Sequence, residues 1–363
     1  MTNLPATSDE PYSMPDMHLG PYVILYYFNS EPKKERYWRD MGKELYSEAK
    51  KRMKPSRDIE SFVETRTKGA VTVRDKLKML YVYCQDEITN HDYSYNIYTA
   101  QELKDLPENF SPQDTFERGH GSPEDINNLF GSMARAMGLN AEIAKTNDIR
   151  TMLFTENSTY TFALPDQCAA VKIDDEWNFF NPGSPFLPFD SLTWWAAGSK
   201  ALIGDAKEAN LVMVPMQKAD FSVLTRSGDF ELDETGTLKG QVTIELNGFS
   251  DLDMKEDLAR RHTDEEEQDW ILHELKEHQP QAKASNFKIQ NRSSLKPMRI
   301  EYDLEIPEFA DVTGKRIFVQ PAVFQKNAEP VFTSEKRKGD ILFPYPWMEV
   351  DEISISIPQD FGL

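Results

Sequence analysis

A chain of 363 residues, 39% apolar and 28% charged, can hold two or three domains that each bury a core, and its proportions are those of an ordinary globular protein. With 61 acidic and 41 basic side chains the formal net charge is −20, a field that repels phosphate backbones and disfavours nucleic-acid partners. Cys84 and Cys168 are too few for a disulfide framework or a four-thiolate zinc site. The six histidines are scattered, and His273 and His278 stand five apart, off a common helical face, so neither a metal nor a cofactor is expected.

Residues 1–20, rich in Pro, Ser and Asp, read as a disordered or trailing segment, with no basic start followed by an apolar stretch and hence no signal peptide. No apolar run approaches the roughly 18 residues of a membrane span. The longest, within 21–29, reads as a short buried strand. Helical spacing follows over 34–54, around 59–67, and from Thr72, where Leu77, Leu80, Tyr81 and Cys84 share one face and make Cys84 a buried structural thiol.

The polar stretch 90–116, with two prolines, reads as a loop containing at most one short helical turn. Ser122-Pro123-Glu124-Asp125 then starts a helix, with a capping serine, a first-turn proline and early acids. Its apolar positions Ile126, Leu129, Phe130, Met133 and Met137 keep a helical period, and Gly138 ends it. Strands are expected at 141–145, 161–164, 169–173 and 177–181, the last two joined in a hairpin by Asp174-Asp175. A helix followed by a small antiparallel sheet is an α+β arrangement. Beyond about residue 206 short β-type runs dominate, interrupted by one charged helical stretch over 252–278 and resuming at 299–304, 316–320 and 352–357. The acidic run 264–267 is a solvated first helical turn.

Phe116-Glu-Arg-Gly-His-Gly-Ser-Pro-Glu-Asp125 and the helix ending in Ala136-Met-Gly-Leu-Asn-Ala-Glu142 resemble the transglutaminase-like superfamily. The strand–turn–strand Ala169-Ala-Val-Lys-Ile-Asp-Asp-Glu-Trp-Asn-Phe-Phe-Asn-Pro182 matches the same pattern. So do Pro185-Phe-Leu-Pro-Phe189, Ala201-Leu-Ile203, Arg337-Lys-Gly-Asp-Ile-Leu-Phe-Pro-Tyr345 and Ile355-Ser-Ile-Pro358. The likeness is to large bacterial-type proteins with a papain-like core between β-rich domains of unknown function, and it covers roughly residues 20–363. It implies a transglutaminase-like domain over 21–206 and a mostly β C-terminal domain over 207–363. The abrupt end of the latter suggests a fragment. Resembling proteins are usually exported, to the periplasm or cell envelope.

The family places a thiol at a helix N-terminus, where the dipole and unpaired N–H groups favour thiolate, a histidine on the next strand as base, and an aspartate to orient it. In this chain Pro123 falls in the cysteine slot, Asp166 or Gln167 in the histidine slot and Asn181 in the aspartate slot. None of these can perform the family's chemistry. The resemblance therefore implies a pseudoenzyme, a cysteine protease-like fold acting as a binding or scaffolding module, whose groove would take a peptide, protein or glycan.

The alternative is an active cysteine-dependent hydrolase or transferase using a relocated dyad of Cys168 and His120, one from the strand and one from the loop. Against it, Cys168 reads as a strand residue buried for packing and His120 as a polar loop residue. Glu124 and Asp125 suggest paired carboxylates, but neighbours on a helix point apart. Adjacent Trp194 and Trp195 suggest a peptide- or carbohydrate-binding platform, and otherwise a core plug.

Overall fold

The computed structural model describes residues 10–19, 23–25, 33–93, 99–337 and 339–361. The fold is of mixed α+β class and divides into two compact units, Met1–Gln217 with Lys336–Pro344, and Lys218–Glu335 with Tyr345–Leu363. No helix among the described residues is long and apolar enough to cross a membrane.

In the first unit α1 (Asp16–Leu19) precedes three helices, α2 (Tyr37–Arg52), α3 (Arg57–Arg66) and α4 (Val73–Asp86). The side chains of Ser56 and Thr72 cap α3 and α4 by accepting from Ile59 N and Asp75 N. The two-residue strand β1 (Thr89–Asn90) pairs in parallel with β2 (His120–Gly121), and between them lie α5 (Ala100–Asp105) and α6 (Pro112–Arg118). Helix α7 (Pro123–Ala136) follows. A capping box of Ser122 and Asp125 starts it, and Gly138, at φ +80°, turns the chain after it.

Five strands then form one antiparallel sheet: β3 (Asn140–Thr146), β4 (Asp166–Ile173), β5 (Glu176–Phe180), β6 (Lys200–Ile203) and β7 (Asn210–Met213), in the order β5-β4-β3-β6-β7. Residues 207–217, expected in the second domain, lie in this unit, where β7 extends the sheet. The β4–β5 hairpin turns on Asp174 and Asp175, both at positive φ as a tight two-residue turn requires.

The central strands β3 and β4 are buried on both faces, so they read as apolar runs rather than alternations. Ala141, Ile143, Ala169 and Val171 join the core built by Leu45, Ile59, Leu80 and Phe130 of the helices. Ala144, Cys168, Ala170 and Ile203 pack on the other face against Leu192, Ala196 and Val214. The period of two along β4 sends odd-numbered side chains to the helices and even-numbered ones away.

Two expectations change here. The strand foreseen at 161–164 is a 3-10 turn, Thr161–Ala163: its carbonyl groups are taken outside any strand pairing, Thr161 O accepting from the nearby Leu164 N and Ala163 O from the side chain of Asn147. Of the strand foreseen at 21–29, residues 23–25 have no regular structure, with Val23 and Leu25 exposed, and the remainder lies outside the described residues. Within the segment 1–20, residues 1–9 and 20 are likewise outside them, while 10–19 are held by the 336–344 piece: Ser13 bridges Ile341, and Leu342 N donates to Tyr12 O.

The second unit holds a sheet in the order β10-β11-β9-β8-β14, formed by β8 (Val223–Leu232), β9 (Leu238–Leu246), β10 (Lys283–Gln290), β11 (Arg299–Ile306) and β14 (Met348–Ser356). Neighbours run antiparallel except β14, which is parallel to β8. A small hairpin of β12 (Asp311–Thr313) and β13 (Arg316–Phe318) stands apart from that sheet. The single helical stretch expected at 252–278 is three helices, α8 (Gly248–Ala259), α9 (Asp264–Ile271) and α10 (His273–His278). Thr263 caps α9 by accepting from Glu266 N and so begins a new helix after the break. Leu258 of α8, Leu275 of α10 and Leu272 between α9 and α10 cover one sheet face, where Val242, Ile300, Tyr302 and Leu304 are buried.

Candidate functional site

The slots pointed out by the sequence converge on the first turns of α7. Pro123 occupies the first helical position, where its missing N–H costs nothing and its fixed φ fits the helix. The loop after β5 closes against it. A Cβ at Gly183 would come within 2.2 Å of Pro123 O, so only glycine allows this approach.

One turn along the helix, the fully buried Asn127 ties the neighbourhood together. Its Nδ2 donates to Gln167 O (2.8 Å) and to Asn181 Oδ1 (2.9 Å), and its Oδ1 accepts from Gly183 N (2.9 Å). The buried Gln167 faces the same helix, and its Nε2 donates to Asn128 Oδ1 (3.2 Å). Three further groups hold the loop from outside. Tyr81 Oη donates to Leu187 O (2.9 Å), Gln85 Nε2 to Ser184 O (2.9 Å) and Asn90 Nδ2 to Gly183 O (2.7 Å). The polar contacts between α7 and the two strand-end slots are thus made by amides, which neither ionise near neutral pH nor act as nucleophiles.

The pleat separates Asp166 and Cys168 from this network. Both point to the face opposite α7. Asp166 accepts from Trp195 Nε1 (2.9 Å), and burial raises its carboxyl above the usual range. Cys168 lies in the apolar cluster with Ala144, Ala201 and Ile203, and burial, then the charge of Asp166, push its thiol far up. Cys84, in the helical core, is raised by burial alone. Neither thiol has the electropositive, exposed setting that favours thiolate.

His120 lies on the α7 side, in β2. Its ring centroid is 6.1 Å from that of His91, and its Nδ1 is buried with no hydrogen-bond partner among the described residues. Burial, then His91 and Arg118, push the imidazole below its ordinary value, against the pull of Asp125. The fold therefore brings Pro123, Gln167 and Asn181 together and leaves His120 and Cys168 on different sides of β4.

Glu124 and Asp125 diverge as neighbours on a helix must. Glu124 accepts from Lys145 Nζ (2.9 Å), while Asp125 turns back to Ser122. Trp195 spends its N–H on Asp166, and the Arg150 guanidinium lies 3.7 Å from its ring centroid, so that face is occupied. Among the described residues no group of three His, Cys, Asp or Glu side chains could hold a metal ion.

Sequence reasoning missed Asn127 and Asn128, the residues on which the arrangement turns. A signal was present: two adjacent asparagines in a strongly apolar helix, between Ile126 and Leu129, must find buried partners.

No family model matches the sequence, and no curated protein matches it. Among solved structures it is similar to a candidate protease from Parabacteroides distasonis, with 10% identity over 85% of this chain and 58% of that one, at a TM-score of 0.42. It is also similar to a candidate cysteine protease from Cytophaga hutchinsonii, with 14% identity over 39% of this chain and 42% of that one, at a TM-score of 0.25. The chain thus spans less than two thirds of the length of either.

Proposed function

We propose that the first unit is a transglutaminase-like, papain-type module whose catalytic positions have become structural, and that it serves as a binding or scaffolding domain alongside the mostly β region that follows. The reading rests on one observation above all. Asn127 joins the cysteine-slot helix to Gln167 and Asn181 through three hydrogen bonds, in the space where thiol, imidazole and carboxylate would act. Gln167 rather than Asp166 faces the helix, which favours it as the occupant of the histidine slot. The active-dyad alternative draws no support from Cys168, whose side chain turns away from α7 into apolar packing.

Alkylation by iodoacetamide tests the reading on the whole chain at pH 8, with mass mapping of Cys84 and Cys168. Native protein is expected to react at least ~100-fold more slowly than free cysteine at both positions, and denatured protein at both promptly. Labelling of Cys168 faster than free cysteine, slowed by His120→Ala, would sink the proposal in favour of the dyad.

A further inference from the structure

The short parallel pairing of β1 with β2 sets two imidazoles side by side. Thr89 N donates to Gly119 O (2.8 Å) and His91 N to Gly121 O (3.2 Å), and the ring centroids of His91 and His120 stand 6.1 Å apart. Strand β2 has no room to yield. A Cβ at Gly121 would lie 2.8 Å from Asp125 Cβ on α7 and 3.2 Å from Thr115 Cγ2 on α6, and His120 O is held by Asn109 Nδ2 (2.8 Å). In this fixed strand His120 Nδ1 is buried with no hydrogen-bond partner among the described residues.

The charges around it come from several elements. The segment after β1 supplies His91, whose Nε2 lies 3.5 Å from Asp92 Oδ1; α6 supplies the Arg118 guanidinium and α7 the carboxylate of Asp125. Asp125 already accepts from Ser122 N and Ser122 Oγ, and Glu87, at the end of α4, pairs with Arg66. The loop at 183–187, which Asn90 ties to β1, contains no ionisable side chain. A proton on His120 therefore adds a buried donor that has no acceptor and a cation beside that of Arg118. Burial, His91 and Arg118 accordingly hold this imidazole below its ordinary value.

We propose that the β1–β2 pairing is an acid-released latch on the loop that closes over the start of α7. With His120 neutral the pairing is intact, and Asn90 of β1 donates from Nδ2 to Gly183 O (2.7 Å), which holds the loop down. When His120 takes a proton, β2 is pinned between α6 and α7, so β1 gives way and the Asn90 bond goes with it. Gly183 N keeps its bond to Asn127 Oδ1, so the loop loosens without leaving. The closed latch holds the imidazole below the ordinary 6.5 that it regains on release. Its stability is therefore full above that ordinary value and is lost as pH falls through the lower, closed-state one. The latch concerns the position of the loop and holds whichever role the α7 slots play.

The test is hydrogen exchange read by mass spectrometry on the full chain at pH 7.5 and pH 5.0, corrected for the pH dependence of intrinsic exchange. Protection of 88–92 and 183–187 is expected to fall at least ~threefold at the lower pH relative to the β8–β9 hairpin of the second unit. His120→Gln, which keeps a polar side chain but takes no proton, should abolish that fall; His120→Asn replaces it if its thermal melt at pH 7.5 departs from the parent's. The ring itself is titrated by NMR on histidine labelled at Cε1, the His120 signal being the one absent from the variant. It should titrate below 6.5 in the parent and move upward in His91→Gln, where a neighbouring imidazole is removed. No fall in protection in the parent, or a fall that persists without His120, overturns the proposal. So does a His120 ring that titrates at or above 6.5, or one that His91→Gln leaves unmoved.

Discussion

Replacing Asn127 by aspartate isolates the hydrogen bonds that hold the α7 slots together, because the two side chains have nearly the same shape and open no cavity. Aspartate can still accept from Gly183 N but cannot donate to Gln167 O or Asn181 Oδ1. Two buried bonds of about 1 kcal/mol each are lost, two acceptors are left facing a carboxylate, and a charge is buried without a cation. Together these cost about 3–5 kcal/mol, a large share of the 5–15 kcal/mol typical of a whole domain. The measurement is urea unfolding followed by circular dichroism, with hydrogen exchange at Gly183 reporting the loop itself. The sign with pH is also determined. Burial raises the folded-state pKa of the new carboxyl above its unfolded value, so the deficit relative to the parent is full above that raised pKa and shrinks as pH falls through it. A loss below about 1 kcal/mol at pH 7, or one independent of pH, refutes the claim that this network organises the region.

Two further outcomes follow from buried charges. Lys255, fully buried in α8, donates from Nζ to Asp251 Oδ2 (2.7 Å), Ser294 O (2.7 Å) and Lys296 O (2.8 Å), so Lys255→Met strands a buried carboxylate and should cost about 3–5 kcal/mol in chemical denaturation. Adding Asp251→Asn should recover part of that loss, since a neutral amide sheds the burial penalty; no recovery would show that packing, not charge, is at stake. Glu142 on β3 has its carboxyl raised from 4.5 to about 7, burial outweighing the Arg135 guanidinium beside it. The folded protein then holds a proton that the unfolded chain has lost between those values, so parent stability falls as pH rises through that window. Glu142→Gln should melt with the parent near pH 4 and a few degrees above it at pH 8 by scanning calorimetry.

What could be read from the sequence was what local rules decide. The start of α7 was legible because Ser122, Pro123 and Asp125 each satisfy a first-turn requirement, and the β4–β5 hairpin because Asp174-Asp175 tolerates positive φ. The break of 252–278 into three helices was obscured by charge, since an acidic run suits either a helix interior or the cap at Thr263. The turn at 161–164 was obscured because one of its carbonyls, Ala163 O, accepts from Asn147, a residue distant in sequence. At the candidate site, motif alignment could nominate slots but not faces. Only the pleat of β4 shows that Gln167 meets the helix while Asp166 and Cys168 leave it, and a one-residue uncertainty in register reverses that answer.

The parallel pairing of β14 with β8 bears on how the chain is made. Residues 233 to 347 intervene between the paired strands, and the piece 336–344 that anchors Ser13 and Tyr12 belongs to the same late stretch. A ribosome delivers the first partner of each pair long before the second. During that interval the outer edge of β8 is unsatisfied and the segment around Ser13 has no bridge, so both units complete their hydrogen bonding only once this late stretch has emerged. The closure of so long a loop adds little to the equilibrium cost but slows the search, which makes the waiting edge of β8 the place where a nascent chain most needs protection.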